Sequence, residues 1–205
     1  IDPKDSKQDV KRYEYGDVLW EKRKRKGMTQ FEARKLMRER NYYGSMMVEM
    51  GDADALISGI SRNYRSTIKP AIEVIGKEDG VNKVIGMYII RTKKGTLFLA
   101  DTTINMNPTA EEIAEISVLI AKSVKQFRIK PRLALLSYSN FGSTRTDDSA
   151  KMAKAAEIIR KDYPDLVVDG EIQGDFALDA EKTERIFPFS PFAEERANTL
   201  IFTNL

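Results

Sequence analysis

The chain contains neither cysteine nor histidine among its 205 residues. Without cysteine there is no disulfide framework, no thiol nucleophile and no thiolate metal site. Without histidine, the usual zinc ligand sets and the Ser-His and Cys-His nucleophile pairs are excluded as well. Any chemistry must therefore use Asp, Glu, Lys, Arg, Ser, Thr or Tyr side chains, or groups of the ligand itself. No metal site is expected within the chain.

Long apolar runs are also lacking, and no signal-peptide pattern opens the sequence, so we expect neither a membrane span nor export. These absences and the lack of cysteine predict a cytoplasmic protein. The net charge is only +3 although 32% of the residues are charged, which argues against nucleic acid as a partner. With 41% apolar residues, the chain can bury the core of one large domain or two small ones.

The basic excess is concentrated in one unbroken run, Lys22-Arg23-Lys24-Arg25-Lys26. One interpretation is the solvated end of a helix, where cations also interact favourably with the helix dipole. The other is an anion site for phosphate or CoA. Nucleic-acid binding is disfavoured because no aromatic residues are interleaved with the run.

Helix signals dominate the first part of the chain. Residues 9–26 form the first predicted helix, which Gly27 ends in a left-handed conformation. Thr29 and Glu32 have the spacing of a capping box that opens a second helix. We expect the following side chains to face inward from these two helices: Val10, Tyr13, Val18, Leu19, Phe31, Leu36 and Met37.

Short apolar runs at residues 45–50 and 55–58 have the length of strands, and residues 66–75 read as a helix with Pro70 in its first turn. Further along, residues 84–91 and 96–100 flank a Lys-Lys-Gly turn and predict an antiparallel hairpin.

From residue 109 onwards, strands, polar loops and helices alternate. Thr109 and Glu112 form a second capping box, and the helix that follows is predicted to run to about Phe127. Its buried face is predicted to comprise Ile113, Ile116, Leu119, Ile120 and Val124. The further predicted strands are 133–136, 166–168 and 199–202, and the further helices are 149–163 and 179–186. This alternation predicts an α/β fold with a largely parallel sheet.

Three polar loops, 101–105, 137–144 and 169–175, each follow a predicted strand. Ligands bind beyond the carboxyl ends of strands in open α/β sheets, so the three loops could converge on one site. Their Ser, Asn, Gly and Asp residues are equally typical of turns and helix caps. Four carboxylates could form an acidic cluster that acts as a base, or could be caps and ion-pair partners: Asp101, Asp169, Glu171 and Asp175. Elsewhere, Arg62 and Lys69 flank the start of a helix and could bind phosphate or be solvated.

Six segments in this order resemble the bacterial phosphate acetyltransferases: NYYGSMMVEMGDADALISG, IKPAIEVIG, LADTTINMNPTAEEIAEI, PRLALLSYSNFGS, DGEIQGDFALD and ANTLIFTNL. The segments MMVEMGDADALISGISRNY and SYSNFGS are similar to the version of this domain at the C-terminus of NADP-dependent malic enzymes. Free-standing transacetylases usually carry Thr-Lys-Gly-Ser where this chain has Asn140-Phe141-Gly142-Ser143.

The resemblance implies a two-lobed phosphotransacetylase or isocitrate-dehydrogenase-like fold with the ligand cleft between the lobes. The whole chain would then be an internal part of such a domain, truncated at both ends, with residues 1–75 in the first lobe and 76–200 mostly in the second. A Ser-Arg-Gly motif that supplies catalytic groups in active transacetylases would lie beyond Leu205.

The resemblance also implies ligand-binding residues, and the loops add Arg62. Arg23 lies in the family's E-x-R-K pattern, and Lys69 stands where the family has the arginine of R-P-A-L. Phe141 replaces a phosphate-binding lysine. The candidate ligand-binding set is Arg23, Arg62, Lys69, Asp101, Asn105, Ser139, Asn140, Gly142, Ser143, Thr144 and Asp175; no catalytic residue is assigned.

Our leading functional prediction is a regulatory domain that binds acetyl-CoA in an NADP-dependent malic enzyme. The NADP site, the divalent Mg or Mn site and the oxidative decarboxylation of malate would then lie outside these residues, which themselves need no cofactor. The alternative is an active phosphate acetyltransferase that uses acetyl phosphate and CoA. A third possibility is a purely structural oligomerisation module. A homo-oligomer is expected, with no nucleic-acid or membrane partner.

Overall fold

A computed structural model describes residues 2–204, which fold into two compact units, one ending at Val81 and the other beginning at Asn82. The first unit is helical and the second contains the β-sheet. Within residues 2–204, no helix is both long enough and apolar enough to cross a membrane.

The first unit consists of four α-helices: α1 (Asp9–Arg23), α2 (Gln30–Leu36), α3 (Arg40–Glu49) and α4 (Tyr64–Val74). After α1 the chain continues as a 3-10 turn, Lys24–Lys26, and Gly27 then ends it at φ 86°. This is the left-handed conformation that glycine adopts without a steric penalty. The predicted capping box is confirmed, because Thr29 accepts from the backbone N–H of Glu32 and the Glu32 carboxylate accepts from the N–H of Thr29.

The predicted inward face of α1 is wrong at two positions, because Val10 is 80% exposed and Tyr13 is 57% exposed. Phe31 on α2, at 76% exposed, is wrong for the same reason. The buried stripe of α1 runs instead through Tyr15, Gly16 and Leu19. A Cβ on Gly16 would lie 2.8 Å from the Cα of Arg34, so this glycine permits a close approach of α2 and fixes the face that α1 buries.

The strands predicted at 45–50 and 55–58 are also wrong. Residues 45–49 belong to α3, and residues 55–58 form neither helix nor strand. Tyr42, Tyr43 and Met46 are buried in the helical i, i+1, i+4 pattern, and a short apolar run does not distinguish a strand from a buried helix. Their packing around Val74 forms the core of this unit.

Pro70 lies inside α4 and not in its first turn, which corrects the predicted position of the helix start. A proline here cannot donate to the carbonyl of Ser66 four residues earlier. The side-chain amide of Asn41 donates to that carbonyl at 3.3 Å instead. A contact from another helix thus supplies the hydrogen bond that the sequence of α4 cannot make.

The second unit contains one five-stranded sheet in the order β1-β2-β5-β3-β4. Its strands are β1 (Met87–Thr92), β2 (Gly95–Ala100), β3 (Arg132–Leu136), β4 (Val167–Ile172) and β5 (Thr199–Ile201). The hairpin prediction is confirmed, since β1 and β2 are antiparallel. The pairs β2–β5, β5–β3 and β3–β4 are all parallel. The predicted α/β fold with a largely parallel sheet is therefore confirmed.

Four helices accompany the sheet: α5 (Ala110–Gln126), α6 (Asp147–Asp162), α7 (Gly174–Ala177) and α8 (Ala180–Ile186). The capping box at Thr109 and Glu112 is confirmed. So is the inward face of α5, which is buried except for the half-buried Leu119. It packs on Phe98, Leu133 and Leu135 of the sheet.

Candidate functional site

The first unit contains an open cavity of about 710 Å³ between the end of α1 and parts of α2, α3 and α4. Six basic side chains line it against three acidic ones, so its charge is positive. The basic residues are Lys4, Arg23, Lys26, Lys35, Arg38 and Lys69, and the acidic residues are Glu32, Glu39 and Glu73. Such a lining attracts an anionic ligand.

Two predicted ligand-binding residues, Arg23 and Lys69, meet in this cavity around a carboxylate that the sequence did not single out. Glu73 Oε1 lies 3.5 Å from Arg23 Nη2 and 3.9 Å from Lys69 Nζ. Its other oxygen, Oε2, accepts a short hydrogen bond from the hydroxyl of Tyr42. Burial and this bond to Glu73 raise the pKa of Tyr42, so its hydroxyl stays protonated and continues to donate.

Arg23 is incompletely paired. Its Nε atom is buried, and no acceptor among residues 2–204 bonds to it. Its one contact with a carboxylate is the long one to Glu73. A guanidinium has five N–H donors in a fixed fork that suits carboxylates and phosphates. Arg23 therefore still has donors available in a cavity of positive charge.

Some residues of the basic run 22–26 fit the interpretation as an anion site, and others fit the interpretation as a solvated helix end. Arg23 and Lys26 line the cavity. Lys22 pairs with Glu49, and Lys24 pairs with Glu21, so both act as ordinary surface cations.

Arg62 lies outside the cavity lining. It makes an exposed ion pair of 3.0 Å with Glu39, a residue that does line the cavity. Exposed pairs of this kind contribute little to stability.

In the second unit, the loop after β3 is organised around the buried carboxylate of Glu171 on β4. Glu171 Oε1 accepts from Ser139 Oγ at 3.0 Å and from the N–H of Gly142 at 2.5 Å. Ser139 Oγ in turn accepts from the N–H of Thr144 at 3.0 Å. Ser143 Oγ accepts from the N–H of Asn140 at the same distance.

The sheet explains why this loop and Glu171 meet. The predicted loop 169–175 is wrong over its first half, because β4 runs on to Ile172. Glu171 is therefore a strand residue beside β3, and the loop after β3 folds over it. The serines of the loop bond to the protein itself, which favours the interpretation of these residues as loop-organising groups.

Phe141 packs into an aromatic cluster. Its ring centroid is 5.0 Å from that of Phe187 and 4.9 Å from that of Phe189, both edge-on. Phe187 also packs edge-on against Phe176 at 5.0 Å. Phe141 holds a left-handed backbone at φ 49°, which is unusual for a bulky residue. The ring contacts compensate for this conformation and attach the loop to the end of α8.

We expect Phe141→Ala to destabilise the second unit by about 2 kcal/mol, because it removes two edge-to-face pairs and their buried area. Urea unfolding followed by far-UV circular dichroism measures the change. Phe189→Ala serves as the control, since that ring is 68% exposed and its loss should cost less. An equal effect of both substitutions would contradict the anchoring role of Phe141.

The other predicted residues of the second unit are also satisfied by the protein. Asp101 is buried and accepts from the backbone N–H groups of Gly86, Thr103, Ile104 and Asn105. The Asn105 side-chain amide also donates to it.

The partners of the four carboxylates favour the interpretation as caps and ion-pair partners over an acidic cluster. The hydrogen bond and charge of Lys182 lower the pKa of Asp175, and Arg160 pairs with Asp169 at 2.9 Å. Each of the four carboxylates thus has its own partners, and no group of three acidic residues within the described chain could hold a metal ion.

Further cavities lie in the second unit, and two of them adjoin the polar loops. One of about 790 Å³ lies between α6 and β4 and is lined by Gly142, Arg145, Lys154, Arg160 and Glu171, among others. The other, of about 290 Å³, lies at the carboxyl ends of β3 and β5. Arg145 was not singled out, although it directly follows the predicted loop 137–144 and adds a cation to its rim.

Glu73 and Tyr42 were also missed by the sequence analysis. Glu73 stands four residues after Lys69, a spacing that places both on one face of a helix. That spacing could have identified Glu73 as a partner for Lys69. Tyr42 gave no comparable signal, because only the packing of α3 against α4 brings its hydroxyl to Glu73.

Comparison with known proteins settles the family. A family described as phosphate acetyl/butaryl transferase matches residues 1–205. The chain belongs to this family. This confirms the resemblance that the six sequence segments indicated.

Two kinds of protein are similar to the chain, malic enzymes and phosphate acetyltransferases. An NADP-dependent malic enzyme of Escherichia coli is 40% identical over 94% of the chain but only 25% of its own length. A phosphate acetyltransferase of Bacillus subtilis is 37% identical over 90% of the chain and 57% of its own length. The chain thus spans a quarter of the one relative and less than two thirds of the other.

Among solved structures, a phosphotransacetylase of Staphylococcus aureus superposes with a TM-score of 0.81 at 30% identity, covering all of this chain and 62% of the neighbour. One from Streptococcus pyogenes gives 0.80 at 32% identity, covering all of this chain and 61% of the neighbour. The phosphotransacetylase fold is therefore confirmed for the chain.

Proposed function

We propose that this phosphotransacetylase-like domain binds an acyl-CoA, in the first instance acetyl-CoA, through the basic cavity of the first unit. The observation that carries the proposal is Arg23, which lines a cavity of positive charge and whose one contact with a carboxylate among the described residues is the long one to Glu73. Lys69 adds a second cation beside it. An acyl-CoA carries several phosphate groups, which are the anions that a guanidinium binds best.

We further propose that the domain is regulatory and belongs to an NADP-dependent malic enzyme. Phe141 supports this, because an aromatic ring that packs against Phe187 and Phe189 cannot supply the charge of a phosphate-binding lysine. Regulation requires acetyl-CoA to favour one global state of the parent enzyme by differential contacts. The NADP and divalent-metal sites would lie in the part of the parent enzyme outside these residues.

Calorimetric titration tests the binding proposal. We expect acetyl-CoA to bind the 205-residue chain with one-to-one stoichiometry, and to change the rate of malate oxidation by the full-length protein. Absence of any binding to either protein would contradict acyl-CoA binding. Binding without any effect on malate oxidation would support acyl-CoA binding and rule out the regulatory role.

An active phosphate acetyltransferase is the second candidate, and the names of relatives favour it about as much as they favour the first. The Bacillus subtilis relative with that name is 37% identical, against 40% for the malic enzyme. In this reaction the CoA thiolate attacks acetyl phosphate, and the protein positions both substrates and stabilises charge. A coupled assay for acetyl-CoA formation decides between them, because sustained turnover by the full-length protein would overturn the purely regulatory role.

A further inference from the structure

Glu73 stands where an anionic group of the ligand would have to bind. The same oxygen, Oε1, faces both Arg23, at 3.5 Å, and Lys69, at 3.9 Å. The side chains of Arg23 and Glu73 are largely buried, at 21% and 16% exposed, so their charges are only partly screened by solvent. A ligand anion that contacted both cations would therefore lie close to a fixed negative charge.

Tyr42, and not the two cations, holds Glu73 in place. Strong arginine–carboxylate pairs are bidentate, with distances of about 2.7–2.9 Å. Here the arginine contact is single and long, and Arg23 Nε makes no bond to Glu73. The Tyr42 hydroxyl donates a hydrogen bond to the other oxygen of this carboxylate, Oε2. Glu73 is thus a positioned charge that leaves most of the guanidinium free.

The three charged groups together carry a formal charge of +1. A singly charged ligand group, such as a carboxylate or a phosphodiester, neutralises this charge. A phosphomonoester dianion leaves an excess negative charge beside Glu73, and like charges at such distances in a half-buried site repel strongly. We propose that Glu73 determines the charge of the ligand group that Arg23 and Lys69 accept, and disfavours a phosphate dianion relative to a singly charged group. The inference rests on the proposed function, because it concerns the same cavity.

Four proteins test this proposal through the formal charge of the group formed by residues 23, 69 and 73. This charge is +1 in the unchanged chain, +2 in Glu73→Gln, 0 in Lys69→Gln and +1 again in the double variant. Glutamine keeps the length of glutamate and still accepts from Tyr42. The probe is inorganic phosphate at pH 8.5, where the dianion predominates, titrated by calorimetry or NMR. We expect Glu73→Gln to bind phosphate about tenfold more tightly, Lys69→Gln about tenfold more weakly, and the double variant within about threefold of the unchanged chain.

A second probe, dimethyl phosphate, carries one charge and cannot become a dianion. Its affinity should rise less than that of phosphate when Glu73 is replaced. The unchanged chain alone also provides a test, since it should bind phosphate no more tightly than dimethyl phosphate. This second test stands even where a variant fails to fold.

Two results would overturn the proposal. One is unchanged or weaker phosphate binding by a folded Glu73→Gln variant, which would mean that Glu73 orients Arg23 for the ligand. The other is a preference of about tenfold for phosphate over dimethyl phosphate in the unchanged chain, the factor that one additional favourable charge contact gives. Acetyl-CoA titration of the unchanged chain is a separate measurement, and its failure would contradict acyl-CoA binding without deciding the role of Glu73.

Discussion

Replacing Arg23 with glutamine is expected to weaken acetyl-CoA binding by about 100-fold, which is the effect of removing one partner from a partly buried, charge-assisted hydrogen bond. Arg23 lines the cavity, and its one contact with a carboxylate among the described residues is the 3.5 Å contact with Glu73. Glutamine keeps some polarity but loses both the charge and the fork. Titration calorimetry on the unchanged chain and the variant measures the difference.

Arg25→Gln is the matched control, because Arg25 belongs to the same basic run but lies exposed and outside the cavity lining. We expect less than a threefold change there, since a distant exposed charge acts only through screened long-range attraction. Arg23→Lys separates charge from geometry, as lysine keeps the charge but cannot bind in a bidentate manner. Equal losses for Arg23→Gln and Arg25→Gln would mean that the run attracts anions only as a whole, and would remove Arg23 from the proposed site.

Local signals in the sequence predicted those parts of the fold that local interactions decide. Both capping boxes, at Thr29 and Thr109, form as predicted, because their hydrogen bonds connect residues only three positions apart. The hairpin between β1 and β2 depends on a short turn and is equally local.

The errors lie where a contact distant in sequence decides the structure. The buried face of α1 follows from the close approach of Arg34 to Gly16, and hydrophobic spacing alone placed Val10 and Tyr13 on it. Pro70 stays inside α4 because Asn41, on another helix, donates to the carbonyl that proline leaves unpaired. No window along the sequence contains both partners of either contact.

The candidate site follows the same rule. Arg23 and Lys69 were predicted from patterns within their own segments, and the structure brings them together across Glu73. The polar residues of the loops 101–105 and 137–144 were open to two interpretations that composition could not separate. The structure gives Ser139 and Asp101 full sets of partners within the protein. Whether a polar side chain is free for a ligand depends on its neighbours in space, and these are not encoded in the residue type.

Asp101→Ala is expected to destabilise the second unit by about 3 kcal/mol, because it leaves four partly buried backbone donors without their charged acceptor. The carboxylate is 4% exposed and accepts from four backbone N–H groups, which hold the loop after β2 against the segment before β1. Alanine can satisfy none of them. Urea unfolding followed by far-UV circular dichroism measures the loss, while the fluorescence of Trp20 follows the first unit separately.

The neighbouring residue, Thr102, provides a control for which we expect no loss in the free energy of unfolding. The hydroxyl of Thr102 is buried and has no hydrogen-bond partner among the described residues, so its removal breaks no hydrogen bond. Thr102→Val should leave the free energy of unfolding unchanged within about 0.5 kcal/mol, or raise it slightly. If Asp101→Ala proved as harmless as Thr102→Val, the carboxylate would not organise this loop, and its assignment as a ligand-binding group would regain its force. If Asp101→Ala alone unfolds the unit, any loss of acetyl-CoA binding in that variant reflects lost structure and not a lost ligand contact.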